Sequence, residues 1–255
     1  MLLAVNVNNT NIKFGVVDGE RIVGEWRQHT SAMRTADEHA VWLMQLMQME
    51  GIDPKSITDA IIGSVVPQAN FNLRRLCSRY FNCEAMFLGD PGVVYGIKVK
   101  GAGAGADRIC NSVGASLLMP NTPAIVVDFG TATNFDVVDE EGSYCGGAIA
   151  PGINLSIEAL VSATALLPRI VVEKPQQVIG TTTVACMHTG VFWGYVGLIE
   201  GIVARIKKEF GRPMKVLSTG GLAPVFDGST DIIDQVAPDI TARGLIEIWR
   251  RSKRA

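Results

Sequence analysis

The chain has 255 residues, 47% of them hydrophobic and 19% charged, which excludes a disordered chain and leaves room for one large domain or two moderate ones. Its formal net charge of −2 argues against nucleic-acid binding, and the basic tail Arg250, Arg251, Lys253, Arg254 reads as the solvated end of a helix. Five cysteines (Cys77, Cys83, Cys110, Cys145, Cys186) and three histidines (His29, His39, His188) show neither CxxC nor ligand spacing, which argues against a disulfide framework and a zinc site.

No apolar run reaches the roughly 20 residues that cross a bilayer. The first residues, Met1 to Val7, lack a basic leader region. A cytoplasmic protein with no membrane partner is expected.

In chain order, Leu2 to Val7 and Ile12 to Val17 read as strands around the turn Asn8-Asn9-Thr10-Asn11, and Asp18-Gly19 signals a hairpin before a third strand, Arg21 to Trp26. Thr35 and Glu38 form a capping-box pattern, followed by Ala40, Val41, Leu43, Met44, Leu46 and Met47 at helical spacing. Gly51 and Asp53-Pro54 end that helix. Asp59 to Val66 reads as a buried strand closed by Pro67, with a helix from about Asn70 to Tyr80 and a short strand at Ala85 to Leu88.

The run Gly101 to Ala106 has no side chains to pack, so it predicts a loop that something approaches closely. Asp107 and Arg108 then open a helix whose face is Ile109, Val113 and Leu117, ending at Pro120. A carboxylate at a helix N-terminus is electrostatically favoured. Asp107 is therefore either a structural cap or a reactive carboxylate.

Val126 to Asp139 repeats the opening logic. Strands Val126 to Phe129 and Phe135 to Val138 flank a turn of Gly130, Thr131, Ala132 and Thr133, whose N–H groups and hydroxyls suit a phosphate. Asp128 at its edge suits a cation that accompanies phosphate; the alternative is a tight hairpin with a solvated Asp. A third strand, Ser143 to Ala150, precedes helices at Asn154 to Ala163 and about Val184 to Phe210, a strand at Met214 to Ser218 and a last helix at Asp239 to Arg251. Two halves with the same strand-strand-strand-then-helix order predict a duplicated α/β fold, residues 1–120 and 121–255, with a ligand cleft between them.

The hairpin turns and the turn Ser218-Thr219-Gly220-Gly221 resemble the acetate kinase, sugar kinase, Hsp70 and actin superfamily. Within it, the whole chain resembles the type III pantothenate kinases. The matching pieces are Asn9-Thr10-Asn11-Ile12-Lys13, Ser64-Val65-Val66-Pro67, Gly105-Ala106-Asp107-Arg108 with Asn111, Asp128-Phe129-Gly130-Thr131-Ala132-Thr133, Gly146 to Gly152, and Gly190 to Gly201. The resemblance implies a duplicated ribonuclease H-like (actin-like ATPase) fold and a homodimer with its site near the subunit interface, which phosphorylates pantothenate with ATP and Mg²⁺ in the first step towards coenzyme A.

It further implies Asp107 as general base, with Gly105, Ala106, Arg108 and Thr183 on pantothenate. Asn6, Val7, Asn8, Asn9, Thr10, Asn11, Ile12, Lys13, Thr131, Gly220 and Gly221 fall on ATP, and Asp128 on a monovalent cation, K⁺ or NH₄⁺. An Arg at position 108 offers a carboxylate the bidentate fork that Lys lacks.

This chain departs from the family pattern at Asn6 and Asn8, where Asp and Gly are usual. Asn8 is expected to supply the left-handed backbone of that Gly, whereas Asn6 lacks the charge that draws Mg²⁺. The Gly/Ala run is shorter than the segment the family carries there, and Asn134 and Thr182 replace Thr and Asn. Two functions follow: a working pantothenate kinase, or a kinase-like protein with impaired catalysis and a binding or regulatory role.

Overall fold

The computed structural model describes residues 1–101 and 103–255; of the Gly/Ala run, Ala102 lies outside the described residues. By their internal contacts they form two compact units, Met1–Leu117 with Ile240–Ala255, and Leu118–Asp239.

In the first unit β1 (Leu2–Val7), β2 (Asn11–Asp18) and β3 (Arg21–His29) form an antiparallel meander, and α1 (Ala36–Met49), β4 (Asp59–Ser64), α2 (Pro67–Tyr80), β5 (Ala85–Phe87) and α3 (Ala106–Leu118) follow. The sheet order is β3-β2-β1-β4-β5, with β4 parallel to β1 and β5 parallel to β4. Every residue of β1 is buried, as a central strand covered on both faces requires. On one face Leu3, Val5 and Phe14 pack on Leu43 and Met47 of α1 and Leu73 and Leu76 of α2.

The second unit has β6 (Ala124–Phe129), β7 (Ala132–Val138), β8 (Tyr144–Pro151), α4 (Ile153–Ser162), α5 (Thr183–Phe210), β9 (Lys215–Gly220), α6 (Ala223–Phe226) and β10 (Gln235–Val236), and the chain ends in α7 (Ile240–Arg254). Its sheet runs β10-β9-β6-β7-β8. Read from β8, that is the order of the first sheet, so the duplication expected from the sequence holds strand for strand. The chain has the α/β duplicated ribonuclease H-like fold. Ile125, Val127 and Phe129 of β6 pack on Phe192, Val196 and Ile199 of α5, and the rings of Phe129, Phe226 and Phe192 stack in series.

Several expectations are corrected. The division is not at 120/121 alone, because α7 packs with the first unit: Leu245, Ile246 and Ile248 share a core with Leu2, Ala4, Ile61, Ile109 and Val113. The reason is steric. A Cβ on Gly244 of α7 would lie 1.8 Å from the Cys110 carbonyl oxygen of α3, and one on Gly114 of α3 would lie 2.2 Å from the Ile240 oxygen, so two glycines let these helices touch backbone to backbone.

Pro67 opens α2 instead of closing a strand. At the first helical position its missing N–H is one that no helix satisfies internally. The second hairpin turn is only Gly130-Thr131, since β7 already begins at Ala132. α5 has an apolar stretch long enough by length and composition to cross a membrane, contrary to the sequence reading, which was misled by its spaced glycines and single charges. Here it packs on a sheet through Phe192, Tyr195, Val196, Ile199 and Val203.

Candidate active site

In the first unit the candidate residues gather where β1 and β4 end and α3 begins. Asn6, the fifth residue of β1, is buried, with Lys13 of β2 directly across on one side and Gly63 of β4 on the other. Residues paired in this way share a face of the sheet. A Cβ on Gly63 would meet the Ala106 Cβ and the Cys110 Sγ at 3.7 Å, so the first turn of α3 lies over this strand end. Asp107 thus stands at the same sheet end as Asn6 and Lys13.

The β1–β2 turn is built without a left-handed residue. Outside glycine, positive φ among the described residues occurs only at Asn82 and Asn121, so Asn8 does not imitate a glycine as expected. Instead the Asn8 N–H donates to the Asn11 carbonyl at 3.0 Å. β3 runs on past Trp26, and just beyond it the Thr30 hydroxyl donates to the Asn8 carbonyl at 2.6 Å while the Thr30 N–H donates to Thr10 at 2.9 Å. Asn9, Thr10 and Asn11 remain exposed.

Asp107 is not the cap of α3. It is the second residue of the helix, and its Oδ1 accepts from the adjacent Arg108 N–H at 2.8 Å, whereas a capping side chain precedes the helix and bonds two or three residues ahead. A Cβ on Gly105 would stand 2.6 Å from that Oδ1 and 3.3 Å from Val65 Cγ1. Burial pushes the Asp107 carboxyl above the usual carboxylate range, against the opposing pull of the Arg108 N–H and charge. Ser112 Oγ in turn donates to the Arg108 carbonyl at 2.9 Å.

The second unit repeats the plan with different chemistry. Asp128 occupies in β6 the place of Asn6 in β1, paired with Asn134 of β7 and Thr219 of β9. The turn Gly130-Thr131 is closed by the Gly130 N–H donating to the Ala132 carbonyl at 3.1 Å. Two glycines make room for it. A Cβ on Gly152 would lie 2.1 Å from the Thr131 oxygen, and one on Gly220, whose φ is +93°, would lie 2.5 Å from the Phe129 oxygen. Asp128, Thr131 and Gly220 therefore meet at one end of the second sheet, where Gly221 follows with open space about its Cα. Among the described residues no three His, Cys, Asp or Glu side chains cluster to hold a metal ion.

Thr183 is exposed in the first turn of α5, after Thr182, whose hydroxyl accepts from the Ala185 N–H at 3.2 Å. Sequence reading missed Thr30 and Gly63, and gave Gly152 a place in a family motif but no role of its own. The signals were faint, because a Thr after a strand and two glycines acquire meaning only from what lies across the sheet.

A carboxylate and a lysine at the end of a mixed sheet, on a duplicated ribonuclease H-like frame, suit the positioning and charge neutralisation that phosphoryl transfer needs. The solved structures it resembles include the inorganic polyphosphate/ATP-glucomannokinase of Arthrobacter sp. (TM-score 0.52, 15% identity, 98% of each chain covered). Another is the activator of 2-hydroxyisocaproyl-CoA dehydratase from Clostridium difficile with bound ADPNP (TM-score 0.56, 14% identity, 100% and 97% covered). Residues 2–205 match the family model described as type III pantothenate kinase. The chain is 55% identical to the type III pantothenate kinase of Paramagnetospirillum magneticum, covering 99% of this chain and 98% of that one, and 54% identical to that of Rhodospirillum rubrum, covering 99% of both. The chain belongs to the type III pantothenate kinase family.

Proposed function

We propose that the protein transfers the γ-phosphoryl group of ATP to the primary hydroxyl of pantothenate, giving 4′-phosphopantothenate in the first step of coenzyme A biosynthesis. The observation that carries this reading is Asp107, a carboxylate raised by burial and seated at the same sheet end as Asn6 and Lys13. In this mechanism Asp107 takes the hydroxyl proton as the substrate oxygen bonds to phosphorus and the bond to ADP breaks. Phosphoryl transfer rests on positioning and charge neutralisation, and a carboxyl raised above its usual range by burial is a stronger base than a solvated one.

Lys13 and the exposed Asn9-Thr10-Asn11 turn hold phosphates in the first unit, and Thr131 with Gly220 and Gly221 holds the nucleotide in the second. Arg108 grips the pantothenate carboxylate, and Gly105 and Ala106 line its approach. Mg²⁺ fits this donor set as an ion that would arrive on the phosphates, since it keeps waters and needs only one or two carboxylates; it would neutralise phosphate charge, and Asn6 would hold it through a hydrogen bond to a bound water. Asp128, with Asn134 and Thr219 beside it, is the seat of K⁺ or NH₄⁺.

We further propose a homodimer in which Thr183 reaches the partner's substrate. The support is apolar surface on the second unit: Ile149, Leu155, Leu166, Val171, Ile179 and Val184 are exposed, and Gly190, Gly194 and Gly197 of α5 have open space around them. Exposed apolar side chains in this number on one unit favour an association surface. A cytoplasmic location accords with substrates that are cytoplasmic metabolites.

The test is ADP release on adding pantothenate with ATP, Mg²⁺ and K⁺, set beside Asp107→Asn and Asn6→Asp. Turnover that Asp107→Asn lowers by about 10²- to 10⁴-fold is expected. No turnover in the parent with activity in Asn6→Asp would instead make the chain a degenerate kinase; relatives at 55% and 54% identity that are named kinases weigh against it.

A further inference from the structure

The basic end of α7, expected to be solvated, is engaged. Arg250 donates to the Gly19 carbonyl at 2.9 Å, and Lys253 pairs with Asp59 at 2.6 Å. Arg251 turns inward, with only 24% of its side chain exposed. Its Nε donates to the Glu247 carboxylate one turn back at 2.9 Å, and its Nη1 donates to the Tyr95 carbonyl at 2.7 Å. Beside it, the Ser252 hydroxyl accepts from the Val94 N–H at 2.9 Å while donating to the Ile248 carbonyl at 2.8 Å. Two neighbouring side chains of a helix thus hold two neighbouring backbone groups of a loop.

That loop needs support from outside itself. Among the described residues between β5 and α3 there is no helix or strand, so its main-chain groups have no ladder of their own to join. Val93, Tyr95, Ile97 and Val99 alternate onto the core that α7 shares with α3. At Gly96 the backbone is left-handed, with φ +67°, and a Cβ would lie 2.4 Å from Arg251 Nη1. Glycine is what lets the guanidinium lie against the chain. Farther along, α7 also grips α3, where Thr241 Oγ1 donates to Asn111 Oδ1 at 2.6 Å beside the close approach of Gly114 and Gly244. The stretch from Gly96 to Asp107 is therefore tied to one helix at both ends, and its Gly/Ala run brings no long side chain to anchor it.

We propose that Arg251, with Ser252 beside it, is a positioning residue for the acceptor substrate. It fixes the upstream anchor of the stretch that ends in Gly105, Ala106, Asp107 and Arg108, and so sets the affinity for pantothenate. The inference rests on the assignment of that stretch to pantothenate under the proposed function. Arg251 acts through the loop and not on the reacting atoms. Asp107 is carried by α3, which the Gly114 and Gly244 contact holds without Arg251, so a loosened upstream anchor weakens binding more than chemistry. The fork of a guanidinium serves Glu247 and the Tyr95 carbonyl together, which a single ammonium does not reproduce.

Steady-state kinetics on the full chain tests this. Arg251→Ala is expected to raise the KM for pantothenate about 10- to 100-fold, the scale on which remote misplacement acts, while kcat and the KM for ATP stay near the parent's. Arg251→Lys, which keeps the charge and loses the fork, falls between the two. Arg250→Ala, which removes the neighbouring cation bonded to Gly19, leaves the pantothenate KM unchanged. Hydrogen exchange reads the anchor directly: in Arg251→Ala the amides of Val93 to Lys100 lose protection and those of α3 keep theirs. Should Arg251→Ala fail to fold, Ser252→Ala, which frees only the Val94 N–H, carries the same expectation at smaller size. A parent that turns over while Arg251→Ala keeps its pantothenate KM would overturn this inference alone, as would equal rises in KM for ATP and pantothenate, the mark of a generally loosened fold. A parent idle on pantothenate would overturn the proposed function and this inference with it.

Discussion

Gly105 and Asp107 act as one unit at the residue scale, because a methyl group at 105 would stand 2.6 Å from the Asp107 carboxylate oxygen. The same burial that suits Asp107 to act as a base weakens the fold. Its carboxyl is raised in the folded chain relative to the usual value of about 3.9, so its contribution to stability is fully present below that unfolded value and is lost as pH rises through the raised folded one. Asp107→Asn is therefore expected to denature in urea at pH 7 no earlier than the parent, while in acid the two converge. A clear loss of stability at pH 7 would contradict the burial argument. The motif showed which residue to watch; its pKa direction came only from what packs around it.

At the scale of the element, local rules read well where the chain writes them locally. Thr35 and Glu38 form the capping box read from their spacing, because four consecutive residues contain the whole device. The crossing of α3 and α7 was illegible, since Gly114 and Gly244 lie 130 residues apart and neither carries a local signal. That crossing is tight. Gly244→Val is expected to cost at least about 1–3 kcal/mol by forcing α7 off α3, which urea denaturation measures directly; a neutral effect would mean that the helices can part freely.

For the whole molecule, the last helix decides the division into units. α7 supplies Leu245, Ile246 and Ile248 to a core with β1, β4 and α3, so truncation after Asp239 strips one face of the first sheet. Hydrogen exchange on such a truncated chain should show β1, β4 and α3 losing protection while β6, β7 and β9 retain theirs. Equal loss in both units would sink the assignment. Sequence order alone put α7 with the second half, because periodicity reports that a helix has an apolar face and not which sheet receives it.

The sequence by itself determined the order of the longer strands and helices, the duplication, and the chemistry-bearing motifs, though not the short α6 and β10, since hydrophobic period, turn residues and short motifs are properties of neighbouring positions. Only the tertiary structure decided that Asn6, Lys13, Gly63 and Ala106 converge, and that Asn6 and Asp128 hold equivalent places in the two sheets. It also decided that Thr30, not a left-handed Asn8, clamps the first turn. Those relations run across strands and between helices distant in sequence, where register and close packing, rather than local preference, choose the neighbour.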